Sequence, residues 1–239
     1  MEHILLPSAI EFRATDNPNV SKLVLTPCHQ GYGITLANAL RRVLLSSISG
    51  AAVEAVKIEG VSHEFSAIPG VQEDVIEVIL NLKQLAIRSF SDAPIKLTLT
   101  KKGKGAITAA DFEKNADVEI VNTDLKIATS NEEKKTFTME VIIGKGLGYV
   151  TAAEKNSKNL DPGTILIDSF YSPVKDVGYN IENTRVGDVT DYEELTITIE
   201  TNGTISPKSA VNQATQIILN HFNLVSNVSQ SEEAERDAD

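Results

Sequence analysis

FTMEVII, residues 137–143, puts Phe137, Met139, Val141 and Ile143 at every second position. That is the period of a strand with one face on a core and the other in water. IKLTLT at 95–100 (Ile95, Leu97, Leu99) and LTITIE at 195–200 (Leu195, Ile197, Ile199) repeat the pattern, so antiparallel sheet is predicted there. Weaker strand signals are KLVL at 22–25, VKIEGV at 56–61, DVEIV at 117–121 and TILID at 164–168.

Outside this region the period lengthens to that of helices. Residues 34–47 carry Leu36, Leu40, Val43, Leu44 and Ser47 at spacings of three and four, with Gly31 and Gly33 before them and Gly50 after. Residues 71–87 carry Val75, Ile79, Leu82 and Ala86 on one stripe, with Glu73 and Asp74 near the positive end of the helix dipole. A third helix is predicted to start at Ser206-Pro207, a serine cap followed by proline at the first helical position. Its stripe is Val211, Ala214, Ile218, Phe222 and Val225. Helices set apart from a strand-rich middle predict an α+β fold, not a doubly wound α/β one. GKGLGYVTAAEKNSKNLDPG, residues 144–163, is too polar for core and is expected to be an exposed loop.

The 239 residues are 41% apolar, enough for a substantial core. With 33 acidic and 22 basic side chains the net charge is -11, so the average surface repels a phosphate backbone. The segment SEEAERDAD at 231–239 contributes -4 of that charge and is expected to be disordered. One cysteine, Cys28, excludes an intrachain disulfide and fits a reducing compartment. MEHILLPSAIEF does not read as a secretory signal, no stretch approaches a membrane span, and a cytoplasmic protein without membrane contact is expected.

Few residues suggest chemistry of their own. GKGLG at 144–148 and KKGKG at 101–105 could cradle a phosphate, but neither has the full glycine fingerprint leading from a strand into a helix, and turns between strands are expected. Cys28 and His29 are adjacent, and adjacent strand residues point to opposite faces, so no thiolate pair is predicted. His3, His29, His63 and His221 are scattered, and no metal site and no cofactor is expected. Asn202-Gly203-Thr204 and Asn227-Val228-Ser229 are read as chance glycosylation triplets. The acidic pairs Glu73-Asp74, Glu132-Glu133 and Glu193-Glu194 read as solvated surface, and no catalytic residue is expected. Arg41 and Arg42 remain, about 100° apart on a helix. They either solvate its outer face or serve a protein interface.

Four long stretches carry a resemblance: TLANALRRVLLSS at 35–47, GVQEDVIEVILNLKQLAIR at 70–88, DSFYSPVKDVGYNIENTRVG at 168–187 and ETNGTI at 200–205. In order and over almost the whole chain, they resemble the amino-terminal domain of the bacterial RNA polymerase alpha subunit. The resemblance implies a dimerisation lobe of residues 1–48 and 170–228, an inserted α+β lobe of 49–169, and the disordered acidic tail at 229–239. It implies a non-catalytic subunit of a nucleotidyltransferase complex, a homodimer on which the beta and beta prime catalytic subunits assemble. Omega and sigma would join later, and DNA would be met only through the complex. Arg42, with Arg41 and Asn38, is implied in docking beta, and Tyr179, Asn180 and Arg185 in facing beta prime. Leu36, Leu40, Leu44, Val211, Ile218, Phe222 and Val225 are implied in the dimer interface. A reading of another class stays open beside it: a free-standing enzyme that binds a phosphorylated ligand through the glycine-rich loops.

Overall fold

The computed structural model describes residues 4–155, 160–187 and 189–236. Along the chain run β1 (Ala9–Ala14), β2 (Val20–Cys28), α1 (Tyr32–Ser46), β3 (Ser49–Ile58), α2 (Val75–Leu82), β4 (Ile87–Ser89), β5 (Ile95–Lys102) and β6 (Gly105–Thr108). Then follow β7 (Val118–Ile120), β8 (Lys126–Ser130), β9 (Thr136–Leu147), β10 (Tyr149–Val150), β11 (Ile165–Leu166) and β12 (Ser169–Phe170). The last elements are β13 (Val174–Val186), β14 (Val189–Thr201) and α3 (Pro207–Arg236). These form two compact units, Met1–Ile48 with Val174–Asp239, and Ser49–Pro173. The architecture is α+β with antiparallel sheets.

In the first unit an antiparallel sheet is ordered β1-β2-β14-β13. The alternation in LTITIE sends Leu195, Ile197 and Ile199 to one face, where all three are buried, with Leu195 opposite Leu25 and Ile197 opposite Leu23. Against that face pack Ala37, Leu44 and Ile48 from α1 and its end, and Ala210, Val211 and Ala214 from α3. The alanines let the helices approach closely. Ser206 caps α3 as its sequence predicts, its Oγ accepting the N–H of Ser209 at 3.2 Å. Two strands escaped the sequence reading. β1 is exposed along its whole length, and β13 buries only Val174 and Val177 among its apolar residues, so neither shows a clean period of two.

In the second unit β5-β9-β3-β4-β7 form a sheet, with β11 against β3. Leu97, Leu99, Met139, Val141 and Ile143 face a core shared with Val75, Val78 and Leu82 of α2. α2 is shorter than the 71–87 predicted. Val71 forms a bridge to Ser130 and the Gln72 N–H bonds to Thr129 O, so the chain is still extended there. Asp74 is the cap, accepting the Glu77 N–H at 2.8 Å, and Ile87 already belongs to β4. The apolar run was continuous enough to hide both ends.

GKGLG is a correction too. Residues 144–147 are strand, and only Gly148, at φ +60°, turns the chain. Glu54 sits where the β3–β9 register shifts, and its carboxylate accepts the Tyr171 hydroxyl at 2.5 Å. A Cβ on Gly144 would overlap Glu54 Oε1, and one on Gly146 would lie 2.8 Å from the Tyr171 ring. The glycines clear space for this pair. KKGKG does turn, at Gly103 with φ +91°, but it joins β5 and β6, which belong to different sheets, and is not a hairpin.

Two expected boundaries move. The chain leaves the second unit at Pro173, not 169, because β12 pairs with β10 and Tyr171 lies over Gly146. α3 continues to Arg236, so residues 229–236 are helical and not the expected disordered tail. Glutamate, alanine and arginine are good helix formers whatever their charge. Residues 237–239 lie outside the described part.

Glu73 is no solvated acid. Its side chain is 11% exposed, accepts the Thr129 N–H at 2.6 Å and hydroxyl at 2.9 Å, and pairs with Lys126 at 2.9 Å. Burial pushes its carboxyl up, but the Lys126 and Thr129 bonds more than offset this and hold it below its ordinary value. A depressed carboxylate contributes stability above its unfolded value and loses it as pH falls through the folded one. Glu73→Ala is expected to cost about 1 to 3 kcal/mol at neutral pH, a difference that shrinks in acid; thermal melts across pH check it. Gly144→Ala is expected to cost about 1 to 3 kcal/mol by overpacking against Glu54, measured by urea denaturation.

Candidate docking face

α1 is made of good helix formers, leucine, alanine and arginine, with Gly33, Ala37 and Leu44 on its buried side. It lacks a local cap: Gly31 stands at the N-cap in the left-handed region, φ +81°, and no acid lies in the first turn. The missing acceptor comes from β14. Glu193 Oε1 accepts the Gly31 N–H and Oε2 accepts the Gly33 N–H, each at 2.9 Å. The carboxylate thus satisfies two orphan amides and faces the positive end of the helix. Gly33 leaves room for this approach, since a Cβ there would lie 2.7 Å from Glu193 Oε2 and push the carboxylate off its seat.

Arg41 is half-buried and Arg42 exposed. Among the described residues neither guanidinium has a hydrogen-bond or ion-pair partner. Asn38 lies one turn before Arg42 on the same ridge, and its Oδ1 accepts the Tyr179 hydroxyl at 3.2 Å. The fold therefore joins a residue expected on the beta side to one expected on the beta prime side. Tyr179 also packs against the core. Asn180 is exposed and donates to Glu182 at 2.8 Å, and Arg185 donates from Nε to Gly187 O at 2.6 Å. Arg185 lies six residues beyond Tyr179, about 20 Å along a strand.

The apolar residues divide. Leu44 and Val211, expected between copies, are instead buried in the unit's own core, and Leu36 and Leu40 pack partly against it. The reason is that the sheet needs cover along its whole face. Ile218 is half-buried, while Phe222 and Val225 are each 65% exposed. Leu219, Leu224, Tyr32 and Ile34 are exposed as well. So are Ile10 and Phe12 of β1, which by register share the face of Leu25 and Leu23. None of these six stood on the stripes counted in the sequence. Glu193 was missed for another reason: its partners are 160 and more residues away.

Groups that could carry chemistry are engaged otherwise. Cys28 is buried, and burial first and then the Glu193 charge push its thiol up, away from the thiolate. Lys155 Nζ donates to Ser169 Oγ at 2.5 Å, to Glu54 O at 3.3 Å and to Ile167 O. Ser169 is 1% exposed and donates to Val53 O, so its hydroxyl meets no substrate. A carboxylate over Gly144 repels a phosphate. Gly103 N–H is used by Lys135 O and Gly105 is paired with Ser130, which leaves no free amide cradle there. Among the described residues no cluster of three His, Cys, Asp or Glu could hold a metal, and no helix is long and apolar enough to cross a membrane.

Residues 56–172 match the family described as the RNA polymerase Rpb3/RpoA insert domain. The chain is 46% identical over 209 residues to the DNA-directed RNA polymerase subunit alpha of Clostridium botulinum strain Hall, covering 87% of this chain and 66% of that relative. The subunit of the same name from strain Eklund 17B is 47% identical over 211 residues, covering 88% of this chain and 67% of the relative. The chain spans about two thirds of the length of these curated relatives.

Proposed function

The chain belongs to the family of bacterial DNA-directed RNA polymerase alpha subunits, and we propose that it acts as a homodimeric platform on which the beta and beta prime subunits assemble for transcription. One observation carries the proposal: the first unit leaves its docking helices incompletely used. α3 has 30 residues, about 45 Å of helix, and among the described residues its own core takes Ala210, Val211, Ala214 and, in part, Ile217. Beyond these, Ile218, Leu219, Phe222 and Val225 fall on one side of the helix with at least partial exposure. A helix end without tertiary packing is marginal in water, and a second copy would cover it.

In this reading the dimer forms through the open residues of α3 with Tyr32 and Ile34 of α1, over the bed made by Leu36 and Leu40. Arg42 docks beta, with Arg41 and Asn38 beside it, and Tyr179, Asn180 and Arg185 face beta prime. An unpaired arginine fork suits a protein surface that supplies carboxylates or backbone carbonyls. The chemistry of nucleotidyl transfer belongs to the large subunits, and DNA, omega and sigma are met only in the complex. In the same reading it acts in the cytoplasm.

Changing Ile218 and Phe222 together to aspartate should give monomer or aggregate, since charges would enter an apolar interface. Analytical ultracentrifugation at micromolar concentration reads this, and a monomeric wild type would overturn the dimer. Arg42→Ala in both copies should cost about 2 to 5 kcal/mol of beta recruitment while the dimer survives. A two-fold dimer offers the same face twice to two different partners. A mixed dimer with one intact Arg42 should therefore still recruit beta in a pull-down. Calorimetry with ATP and magnesium should find no saturable site on the chain alone.

A further inference from the structure

We infer that Glu193 is the positioning residue of the docking face: its carboxylate, laid across the start of α1, sets where Asn38, Arg41 and Arg42 stand. The inference rests on the reading of α1 as the beta-docking helix. Glu193 continues the alternation of Leu195, Ile197 and Ile199, so it lies on the helix side of the sheet, at the end where the apolar surface stops. There the β2–β14 register shifts, with three residue steps of β2 from Cys28 to Leu25 against two of β14 from Glu193 to Leu195, so the extra residue lies on β2 and Glu193 keeps its place in the alternation of β14. The carboxylate then meets the amides of Gly31 and Gly33 with one oxygen each.

That contact is more than a cap. A side chain from α1's own sequence would satisfy the amides wherever the helix lay, whereas Glu193 ties them to a rigid central strand. β14 is paired on both sides, with Glu193 opposite Asn183 of β13 and Cys28 of β2. The second tie comes from the next strand, where Tyr179 of β13 holds Asn38. The third is apolar, Leu44 in the core. Arg41 and Arg42 lie between the second and third ties, so a shift of the helix start is passed along a stiff rod to their guanidinium groups. Gly33 belongs to the same device: its missing side chain lets the carboxylate seat. Glu193 does not touch the partner in this account; it acts through α1.

The test compares intact dimers of the full chain carrying E193Q, G33A, both changes, R42A, or I199V, a change in the same core away from the three ties, as a control for mere loss of stability. The readouts are beta affinity, dimer mass, melting temperature and the amide proton shifts of Gly31 and Gly33. Both amide shifts should move together in E193Q, because one carboxylate accepts both. E193Q should weaken beta binding roughly tenfold, more than I199V does for the same loss in melting temperature, with the dimer mass unchanged. G33A should weaken it similarly, and the double variant should be little worse than either, because the two changes break one contact. If E193Q does not fold, G33A, which keeps the carboxylate, answers the same question. Normal beta binding by E193Q or G33A alongside failure of R42A overturns the positioning role and leaves the docking reading standing. A loss that only tracks melting temperature, as in I199V, also overturns it. Normal binding by R42A removes the docking reading and this inference with it.

Discussion

The pairing of β2 with β14 is the constraint on which the first unit depends. Leu23 and Leu25 lie opposite Ile197 and Leu195, on either side of the whole second unit in sequence. Closing so long a loop costs entropy that grows only slowly with length, and a ladder with a fully buried face offsets it. Once made, the pairing supplies the face that α1 and α3 cover. It also brings Glu193 to Gly31 and Gly33, which no local interaction could do. The fold and the orientation of α1 therefore have one physical origin.

Acidic residues show how position overrides composition. At a net charge of -11, the chain could be read as uniformly repulsive to anions and its acids as solvent-facing. Glu73 instead braces β8 from the edge of α2, Asp74 caps that helix, Glu54 holds Tyr171 across a strand of glycines, and Glu193 caps α1. In each case a hydrogen-bond donor waits where the acid lands, so desolvation is met by a specific bond. Arg41 and Arg42 are the opposite case: cations with no hydrogen-bond or ion-pair partner among the described residues, on a helix otherwise secured from below.

Apolar surface follows the same logic of completion. Leu44 and Val211 finish the unit's own core, while beyond it Ile218 is half-buried and, among the described residues, Leu219, Phe222 and Leu224 stay exposed. An alpha-subunit family member that works as a dimeric platform would use this remainder, and the proposed assembly needs no catalytic group on the chain.

The sequence by itself determined the strong periods. The β5, β9 and β14 strands, the α1 and α3 helices and the α+β class were legible because one face of each is buried and the other is not, and that contrast is written in residue order. The motifs around Arg42 were legible as well, through resemblance to a family. Tertiary structure alone decided the rest. β1 and β13 bury too little to show a period, the ends of α2 depend on bonds to Thr129 and on Ile87 joining a sheet, and the glycines of GKGLG make sense only under Glu54 and Tyr171. The Glu193 contact spans 160 residues and more. Local patterns record which face of an element is apolar; they carry no record of which distant group will arrive to meet a lone amide.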